Sequence, residues 1–403
     1  MAKGTSKETS VRPYAFIVGF GLVSMLMDTV YEGALASQGP LLASLGASAL
    51  VVGIVSGLGE ATALAGRLFS GPLADRTGRY WTFAILGYAA TAVAVPCMGF
   101  AGSVAGVAAL VILERFGKSL RTPSRDTMLS HAASATGRGR GFALHEVFDQ
   151  IGAVAGPLIV AALLSATGND YRVALGVLVI PGLLAICVLL ALRHKVPDPS
   201  VYEAGDSGEK PESKGKTAEK RAPLPRRFWL YAIACAVMLA GVATYGVLSY
   251  HMVSSGVADD ATVPVLYAVA MGVDALFAAL SGFLYDKIGT RAMRVLPFVC
   301  AAIPFVAYTD VLWLVFAGVV LWGAGMGIQE STMRAAVADI APTGQRATAY
   351  GVFSVMVGIG GLVGGVMAGW LYGVSLAALV AYTCCVEAVA LALMLRATQQ
   401  EES

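Results

Sequence analysis

Long apolar runs separated by short polar segments dominate the hydropathy pattern of this chain. A helix that spans a bilayer needs about 20 mainly apolar residues, and twelve runs of about this length follow one another. Because backbone groups in hydrocarbon must be paired within their own segment, each run predicts a helix. The predicted spans are residues 14–38, 47–71, 80–101, 104–123, 140–165, 172–193, 228–252, 263–285, 293–309, 311–335, 346–371 and 373–396.

One polar segment divides these runs into two sets of six. Residues 195–227 are rich in Lys, Glu, Pro, Gly and Ser, a composition that cannot bury enough apolar surface to fold alone. We therefore predict an N-terminal six-helix bundle at 14–194, a cytoplasmic linker at 195–227 and a C-terminal six-helix bundle at 228–396. Residues 1–13 and 397–403 are predicted to be cytoplasmic tails.

Composition agrees with an all-α membrane protein. Hydrophobic residues make up 57% of the chain and charged residues 13%, against about 25% charged residues in soluble domains. The six cysteines lie within apolar runs without CxxC spacing, which indicates small buried hydrophobes. No P-loop, GxSxG or HExxH pattern occurs. We therefore expect no ATP-driven pump, no enzyme, no cofactor or metal, and no nucleic-acid partner.

The distribution of Lys and Arg predicts the orientation in the membrane. With the N-terminus inside, nearly all basic residues fall in cytoplasmic segments, and only Arg172 lies in an outer loop. This bias is the one that orients inner-membrane proteins. We expect a multi-pass protein of the cell inner (plasma) membrane with both termini cytoplasmic, surrounded by lipids and monomeric.

The two halves of the chain repeat each other. Gly117, Arg138, Phe142, Gly152 and Gly156 are each followed, 208 residues later, by Gly325, Arg346, Tyr350, Gly360 and Gly364. A second match pairs the stretch GPLADRTGR at 71–79 with GFLYDKIGTR at 282–291. Parallel duplicated halves are a known plan of secondary transporters.

These repeated residues resemble a known family. GPLADRTGR is similar to the G-x-L-x-D-R-x-G-R-[RK] loop of the major facilitator superfamily, and departs from it only at Tyr80. Residues 152–157, GAVAGP, resemble the G-x-x-x-G-P motif of antiporter branches, and 117–126 are similar to bacterial and archaeal permeases of the family. The resemblance implies twelve helices in two pseudo-symmetric bundles and transport of a small molecule by alternating access.

The loop motif also predicts a gating latch. Glycines permit a tight turn, Asp75 can lie at a neighbouring helix N-terminus, and Arg76 and Arg79 can pair with carboxylates, whereas the alternative is a solvated basic loop. The predicted gating residues are Gly71, Asp75, Arg76, Gly78, Arg79, Asp286, Lys287, Gly289, Gly156 and Pro157.

Ionisable residues at membrane depth are costly, at least about 2.5–3.5 kcal/mol each, and so indicate function. Asp28 lies near mid-depth, and Glu32 shares its helix face. We predict proton coupling at Asp28, Glu32, Asp149 and Glu146, while static ion pairs that fix helix packing are the alternative. The predicted substrate contacts are Tyr31, Glu60, Glu114, Arg121, Tyr245, Asp274, Trp322 and Glu330.

Two classes of function fit these residues. The first is a secondary active transporter, by proton-coupled antiport of an amphipathic or cationic compound, or by symport or exchange of a small organic anion held by the basic residues of the fourth run. The second is a membrane receptor or scaffold that transports nothing. Duplicated halves and mid-depth carboxylates favour the transporter.

Overall fold

The computed structural model is built almost entirely of helices. It describes residues 11–134, 138–204, 224–342 and 345–399, in which there is no strand. The α-helices are α1 (Pro13–Ser44), α2 (Ala49–Thr77), α3 (Tyr80–Phe100), α4 (Val104–Ser134), α5 (Arg138–Thr167), α6 (Tyr171–Gly176), α7 (Val179–Lys195), α8 (Val201–Ala204), α9 (Arg226–Gly241), α10 (Tyr245–Ser254), α11 (Thr262–Ile288), α12 (Leu296–Ala307), α13 (Leu312–Ile340), α14 (Arg346–Val374) and α15 (Leu376–Gln399). Residues 1–10 and 400–403 of the predicted tails, and 205–223 of the predicted linker, lie outside the described residues.

The described helices are consistent with the twelve predicted spans. Ten helical segments of the described chain are long and apolar enough to cross a membrane, and one of them, Thr262–Ala307, contains both α11 and α12. α4 is not among the ten because Glu114, Arg115, Lys118 and Arg121 fall close together in it. Two spans are interrupted: the sixth consists of α6 and α7, and the seventh of α9 and α10.

Glycine ends α2 and α11 at equivalent positions of the two halves. Gly78 follows Thr77 with a φ of 64°, and Gly289 follows Ile288 with a φ of 60°. Residues with a Cβ rarely adopt this left-handed conformation, so glycine lets each helix stop within one residue. The glycines of the repeated loop therefore have a backbone role in both copies.

The helices form two bundles with related packing, as the resemblance implied. In the first half α1 packs along α5 and α2 along α4; in the second half α9 packs along α14 and α11 along α13. Each half encloses its own buried apolar core, from Phe16 to Tyr202 in the first and from Phe228 to Ala397 in the second. The predicted fold class, two pseudo-symmetric bundles in an all-α membrane protein, is confirmed.

Repeated glycines make the same backbone contact in both bundles. A methyl group at Gly152 of α5 would overlap the carbonyl oxygen of Met25 in α1, and one at Gly360 of α14 would overlap that of Ala236 in α9. Small residues at such crossings let backbones approach closely where lipid provides no hydrophobic force between helices. The sequence repeat is thus a repeat of helix-packing contacts.

The two halves meet tightly at one end of the molecule. We call the end where α1 begins the near face, and the end where α1 terminates the far face. Toward the far face, a methyl group at Gly39 of α1 would overlap the carbonyl oxygen of Gly246 in α10, and one at Gly53 of α2 would overlap that of Gly365 in α14. Backbone contact between the halves therefore closes the bundle on this side.

Candidate functional site

A central cavity of about 320 Å³ lies between the two halves, within the range of about 300–1,000 Å³ of small-molecule sites. Its walls come from α1, α2 and α4 on one side and from α9, α10, α11, α13 and α14 on the other. It extends from Tyr245 and Gly246 toward the near face, where Arg334 is exposed. Its charged lining residues are Glu32, Glu60, Arg67, Arg115, Lys118, Asp274, Glu330 and Arg334.

Aromatic side chains and hydrogen bonds between the halves close the cavity toward the far face. The ring centroids of Tyr245 and Trp322 are 5.3 Å apart, and the indole N–H of Trp322 donates to the carbonyl oxygen of Ala243 at 3.2 Å. Further out, the hydroxyl of Tyr171 donates to Asp260 across the two halves. The cavity is therefore a one-sided vestibule in this conformation.

A cation from α4 organises the wall on the first half. The Arg115 guanidinium lies 3.1 Å from the carboxylate of Glu60 and donates to the hydroxyl of Tyr31. The Lys118 ammonium lies 3.9 Å from the centroid of the Tyr31 ring, a cation–π contact. No carboxylate of the described residues lies within 4 Å of Lys118, so this ammonium faces the cavity without an ion pair.

Glu114 and Arg121, both predicted to contact substrate, do not line the cavity. Each is 3% exposed and faces α3, with Arg121 at 3.7 Å from the Glu114 carboxylate. Thr91 of α3 joins them, because its hydroxyl donates to Glu114 and accepts from Arg121. The structure therefore places these two side chains in the helix packing of the first half.

The two acidic residues of α1 have different surroundings. Glu32 lines the cavity and accepts a hydrogen bond of 2.7 Å from the hydroxyl of Tyr267 in α11. Asp28, one turn closer to the near face, packs against Gly152 of α5 and is partly exposed. No hydrogen-bond partner is found for Asp28 among the described residues, so its carboxylate lies unpaired at the seam of α1 and α5.

Asp149 of α5 lies in a polar cluster at the same seam. It is 3.5 Å from Arg125 and 3.3 Å from the Nδ1 atom of His145. The other ring nitrogen of His145 is 2.9 Å from the hydroxyl of Ser24 in α1. Glu146, the fourth predicted proton-coupling residue, is exposed, and one of its oxygens is 3.4 Å from the Gln150 amide nitrogen.

The second half contributes acidic groups to the cavity. One oxygen of Asp274 accepts a hydrogen bond of 3.5 Å from the side chain of Gln150, and the other is buried without a partner in the described chain. Glu330 is exposed in the cavity and has no described cation within 4 Å. Both predicted substrate contacts therefore line the cavity without a described cation within 4 Å.

The predicted gating residues of the first loop lie at the near face, away from the cavity. Asp75 is exposed and accepts a hydrogen bond of 3.1 Å from the Tyr80 hydroxyl. Arg76 and Arg79 are exposed, and no described carboxylate lies within 4 Å of either. Gly71 packs beside Pro123 of α4. The predicted latch thus makes no ion pair in this conformation.

The other gating residues divide between a surface loop and a helix contact. Asp286 and Lys287 are exposed at the end of α11, just before Gly289. Gly156 packs on the backbone of Thr29, and Pro157 follows it inside α5. The GP pair therefore lies at the α1–α5 contact of the first half.

Several cavity residues were not predicted as substrate contacts. Arg115 and Lys118 line the cavity, whereas the substrate contacts predicted in α4 were Glu114 and Arg121. A spacing of three along α4 separates Arg115 from Lys118, so it was a usable signal. Tyr267, which lines the cavity, and Gln150, which contacts the cavity residue Asp274, are uncharged, and no sequence pattern separates them from ordinary helix residues.

Comparison with known proteins identifies the family. The sequence profile of the Major Facilitator Superfamily matches residues 17–308 and 257–403. A protein of Mycobacterium tuberculosis is 50% identical over 382 residues, which cover 94% of this chain and 92% of that protein. An MFS-type transporter of Methanocaldococcus jannaschii is 23% identical over 389 residues, covering 93% of this chain and 92% of the transporter.

Solved transporter structures share the fold. A nucleoside transporter superposes with a TM-score of 0.74 at 13% identity, covering 94% of this chain and 99% of that chain. A bacterial homologue of the human lysosomal transporter Spinster, in an inward-facing and occupied conformation, superposes with a TM-score of 0.70 at 16% identity, covering 97% and 98%. With its duplicated bundles, its central cavity and a profile match over nearly its whole length, this chain belongs to the major facilitator superfamily, a family of multi-pass membrane transporters.

Proposed function

We propose that the protein is a proton-coupled antiporter that exports a small amphipathic or cationic compound. The observation that carries this proposal is the set of acidic groups in and beside one cavity, above all Asp274, with an unpartnered buried oxygen, and Asp28, with no described partner. A carboxylate that binds either a proton or a substrate cation exchanges one for the other. Antiport follows when the two compete for the same groups.

The near face is proposed to be the cytoplasmic side of the inner membrane. Basic residues concentrate there, including the exposed Arg76, Arg79 and Arg334, in keeping with the positive-inside bias. The cavity is then accessible from the cytoplasm in this conformation, which is the loading state of an exporter. Both termini and the linker around 195–227 are assigned to this side, and the protein is proposed to act as a monomer.

Asp28 is proposed to carry the coupled proton. It lies between α1 and α5 one turn from Glu32, and Glu32 is bonded across the cavity to Tyr267. A rocking motion that separates α1 from α11 breaks that bond and changes the electrostatic surroundings of Asp28. Asp149, held by Arg125 and His145, supports the same site from α5.

Transport by reconstituted protein tests this proposal. Proteoliposomes with an imposed pH gradient should accumulate lipophilic organic cations, and dissipating the gradient should stop the uptake. Asp28→Asn should remove the dependence on the gradient, whereas the control Asp198→Asn, at an exposed position after α7, should retain it. Cation transport that is indifferent to the gradient and to Asp28→Asn would refute proton coupling.

The unpaired cations of the cavity support a second candidate, exchange or symport of a small organic anion. Lys118, Arg67 and Arg334 line the cavity without a described carboxylate within 4 Å, and the Nε atom of Arg67 is buried without a partner. Uptake of organic anions that is abolished by Lys118→Gln and unchanged by Asp274→Asn would favour this candidate. The reverse pattern, with organic cations, would favour export by antiport.

A further inference from the structure

Glu387 is a buried carboxylate outside the central cavity. It lies at the middle of α15 and is 2% exposed, and neither of its carboxylate oxygens has a hydrogen-bond partner in the described chain. It is not among the residues that line the central cavity. An acidic side chain at this depth is expensive in lipid or protein interior unless something satisfies it.

The carboxylate faces the break in the seventh span. α9 ends at Gly241, and a methyl group at Gly241 would lie 2.6 Å from one Glu387 oxygen. The hydroxyls of Tyr382 and Thr383 donate to the carbonyl oxygens of Ala240 and Gly241, at 2.9 and 3.0 Å. The C-terminal end of a helix carries partial negative charge. Glu387 therefore lies beside the electrostatic end that least favours an anion.

No basic side chain compensates this charge. The titratable groups that face Glu387 are the thiol of Cys300 in α12 and the hydroxyl of Tyr382 in α15. The described salt bridges do not include Glu387. An ionised carboxylate would therefore be unpaired beside the negative end of α9, whereas a protonated carboxyl is neutral and can donate one hydrogen bond.

We propose that Glu387 is a proton-binding site of the second bundle, separate from the central cavity. Its proton is shared with the carbonyl oxygens at the end of α9. The C-terminal ends of interrupted helices are places where transporters hold small cations. The small space beside Gly241 is lined mainly by apolar residues such as Ile303, Pro304 and Leu379, and such surroundings favour a neutral, protonated carboxyl over an ionised one.

A water-sized cavity lies beside Gly241 and Cys300, two of the residues that surround Glu387. It has a volume of about 10 Å³, enough for about one water, and it is bounded by Gly241, Thr383 and Tyr308. The Tyr308 hydroxyl is buried without a described partner. Its ring lies 5.3 Å from that of His251, whose Nδ1 atom is 3.0 Å from the Tyr372 hydroxyl. The Tyr372 hydroxyl is in turn 3.2 Å from the hydroxyl of the exposed Ser254.

On this proposal the route of the proton runs through the small cavity and not through the central cavity. On release, the carboxyl O–H bond of Glu387 breaks, the proton passes to a water in the small cavity, and the carboxylate keeps the electron pair. The Tyr308 hydroxyl, which has no hydrogen-bond partner in the described chain, is placed to bind that water. Because Gly241, the last residue of α9, lies next to Glu387, a change of protonation acts at the break between α9 and α10.

Infrared difference spectroscopy of the reconstituted protein tests the site without any substrate, so its outcome is independent of transport through Asp28. At neutral pH the wild type should show a protonated-carboxyl stretching band that Glu387→Gln lacks. The control Asp198→Asn should leave this band unchanged. The Glu387→Gln protein should elute and melt like the wild type, because its side chain has nearly the same shape.

Two further measurements decide between a proton and a metal ion, and test the route. Replacing potassium by sodium at constant pH should leave the band unchanged; loss of the band in sodium would overturn the proton assignment. In D₂O, the isotope shift of the band should be slowed several-fold by Tyr308→Phe. Identical wild-type and Glu387→Gln spectra would refute the site, and an unchanged exchange rate in Tyr308→Phe would refute the route.

Discussion

The hydroxyl of Tyr267 donates a hydrogen bond of 2.7 Å to the carboxylate of Glu32, and so links α11 of the second bundle to α1 of the first. The bond lies on the wall of the central cavity, to which both residues contribute. Opening the far side of the molecule requires these helices to separate. The pair therefore stabilises the conformation described above and has to break during transport.

Removing this hydroxyl should destabilise the present conformation. Hydrogen bonds to charged groups contribute about 1.5–3 kcal/mol, so Tyr267→Phe should lower the free energy of unfolding by about that amount. Thermal melting of the purified protein measures the loss. Tyr250→Phe is the control, because no hydrogen bond to its hydroxyl occurs in the described chain. Equal melting temperatures for the two variants would contradict the assigned role.

A methyl group at Gly53 should open the contact between α2 and α14. It would overlap the carbonyl oxygen of Gly365, a backbone atom that cannot rotate away. Overpacking typically costs about 1–3 kcal/mol, so Gly53→Ala should lower the melting temperature. Gly272→Ala is the matched control in α11, where a methyl group meets no atom within 4 Å. The control should melt at or above the wild-type temperature.

Loss of the Arg115 cation should be costly. Breaking a buried ion pair by removing one partner typically costs about 3–5 kcal/mol. Arg115 is 2% exposed, and its removal leaves the carboxylates of Glu60 and Glu114 without their nearest cation. Arg115→Leu should therefore fold poorly or melt far below the wild type, while Arg172→Leu, at an exposed position in α6, should not. If the double variant Arg115→Leu/Glu60→Gln regains stability, the loss in Arg115→Leu comes from the unpaired Glu60 carboxylate.

The latch residues are expected to act only in the other conformation. Asp75, Arg76 and Arg79 make no ion pair here, so Asp75→Asn should change the melting temperature of this conformation little, by less than about 0.5 kcal/mol in free energy. If the latch stabilises the opposite state, its loss should raise the fraction open to the near face. Labelling of Thr244→Cys by an impermeant maleimide in inside-out vesicles measures that fraction.

The reference for this labelling is the same vesicles without the introduced cysteine, which corrects for the native thiols. Thr244 lines the cavity, so its accessibility follows the opening of the vestibule. Slower labelling of Thr244→Cys in the Asp75→Asn background would show that the loop stabilises the conformation described here. The labelling rate therefore tests which of the two conformations the latch residues stabilise.

The fold could be predicted because its signals are local. Apolar runs of membrane length predicted the spans, and Gly152 and Gly360 of the sequence repeat lie at equivalent helix crossings. The interruption at Val242 to Thr244 was not predicted. All three residues are compatible with a helix, and the carbonyl groups of Gly241 and Ala243 at the break accept hydrogen bonds from side chains of other helices.

The site was predicted less completely, because the positions of charged residues along a helix do not show which side of that helix faces the cavity. Glu114 and Arg121 of α4 were predicted to contact substrate, and spacing along the helix could not show that they face α3. Glu114 and Arg121 turn toward Thr91, whereas Arg115 and Lys118 turn toward the cavity. That choice depends on partners supplied by distant parts of the chain, and a single sequence does not display them.

The break between α9 and α10 has a mechanical consequence. Three carbonyl oxygens around it are held by side chains of other helices: Trp322 of α13 binds that of Ala243, and Tyr382 and Thr383 of α15 bind the two preceding the gap. Neither α9 nor α10 can therefore move at the break by itself. Such a motion either moves α13 and α15 as well or breaks these hydrogen bonds. A bound molecule that displaces the Trp322 indole in the cavity would therefore also shift α15, the last helix of the chain.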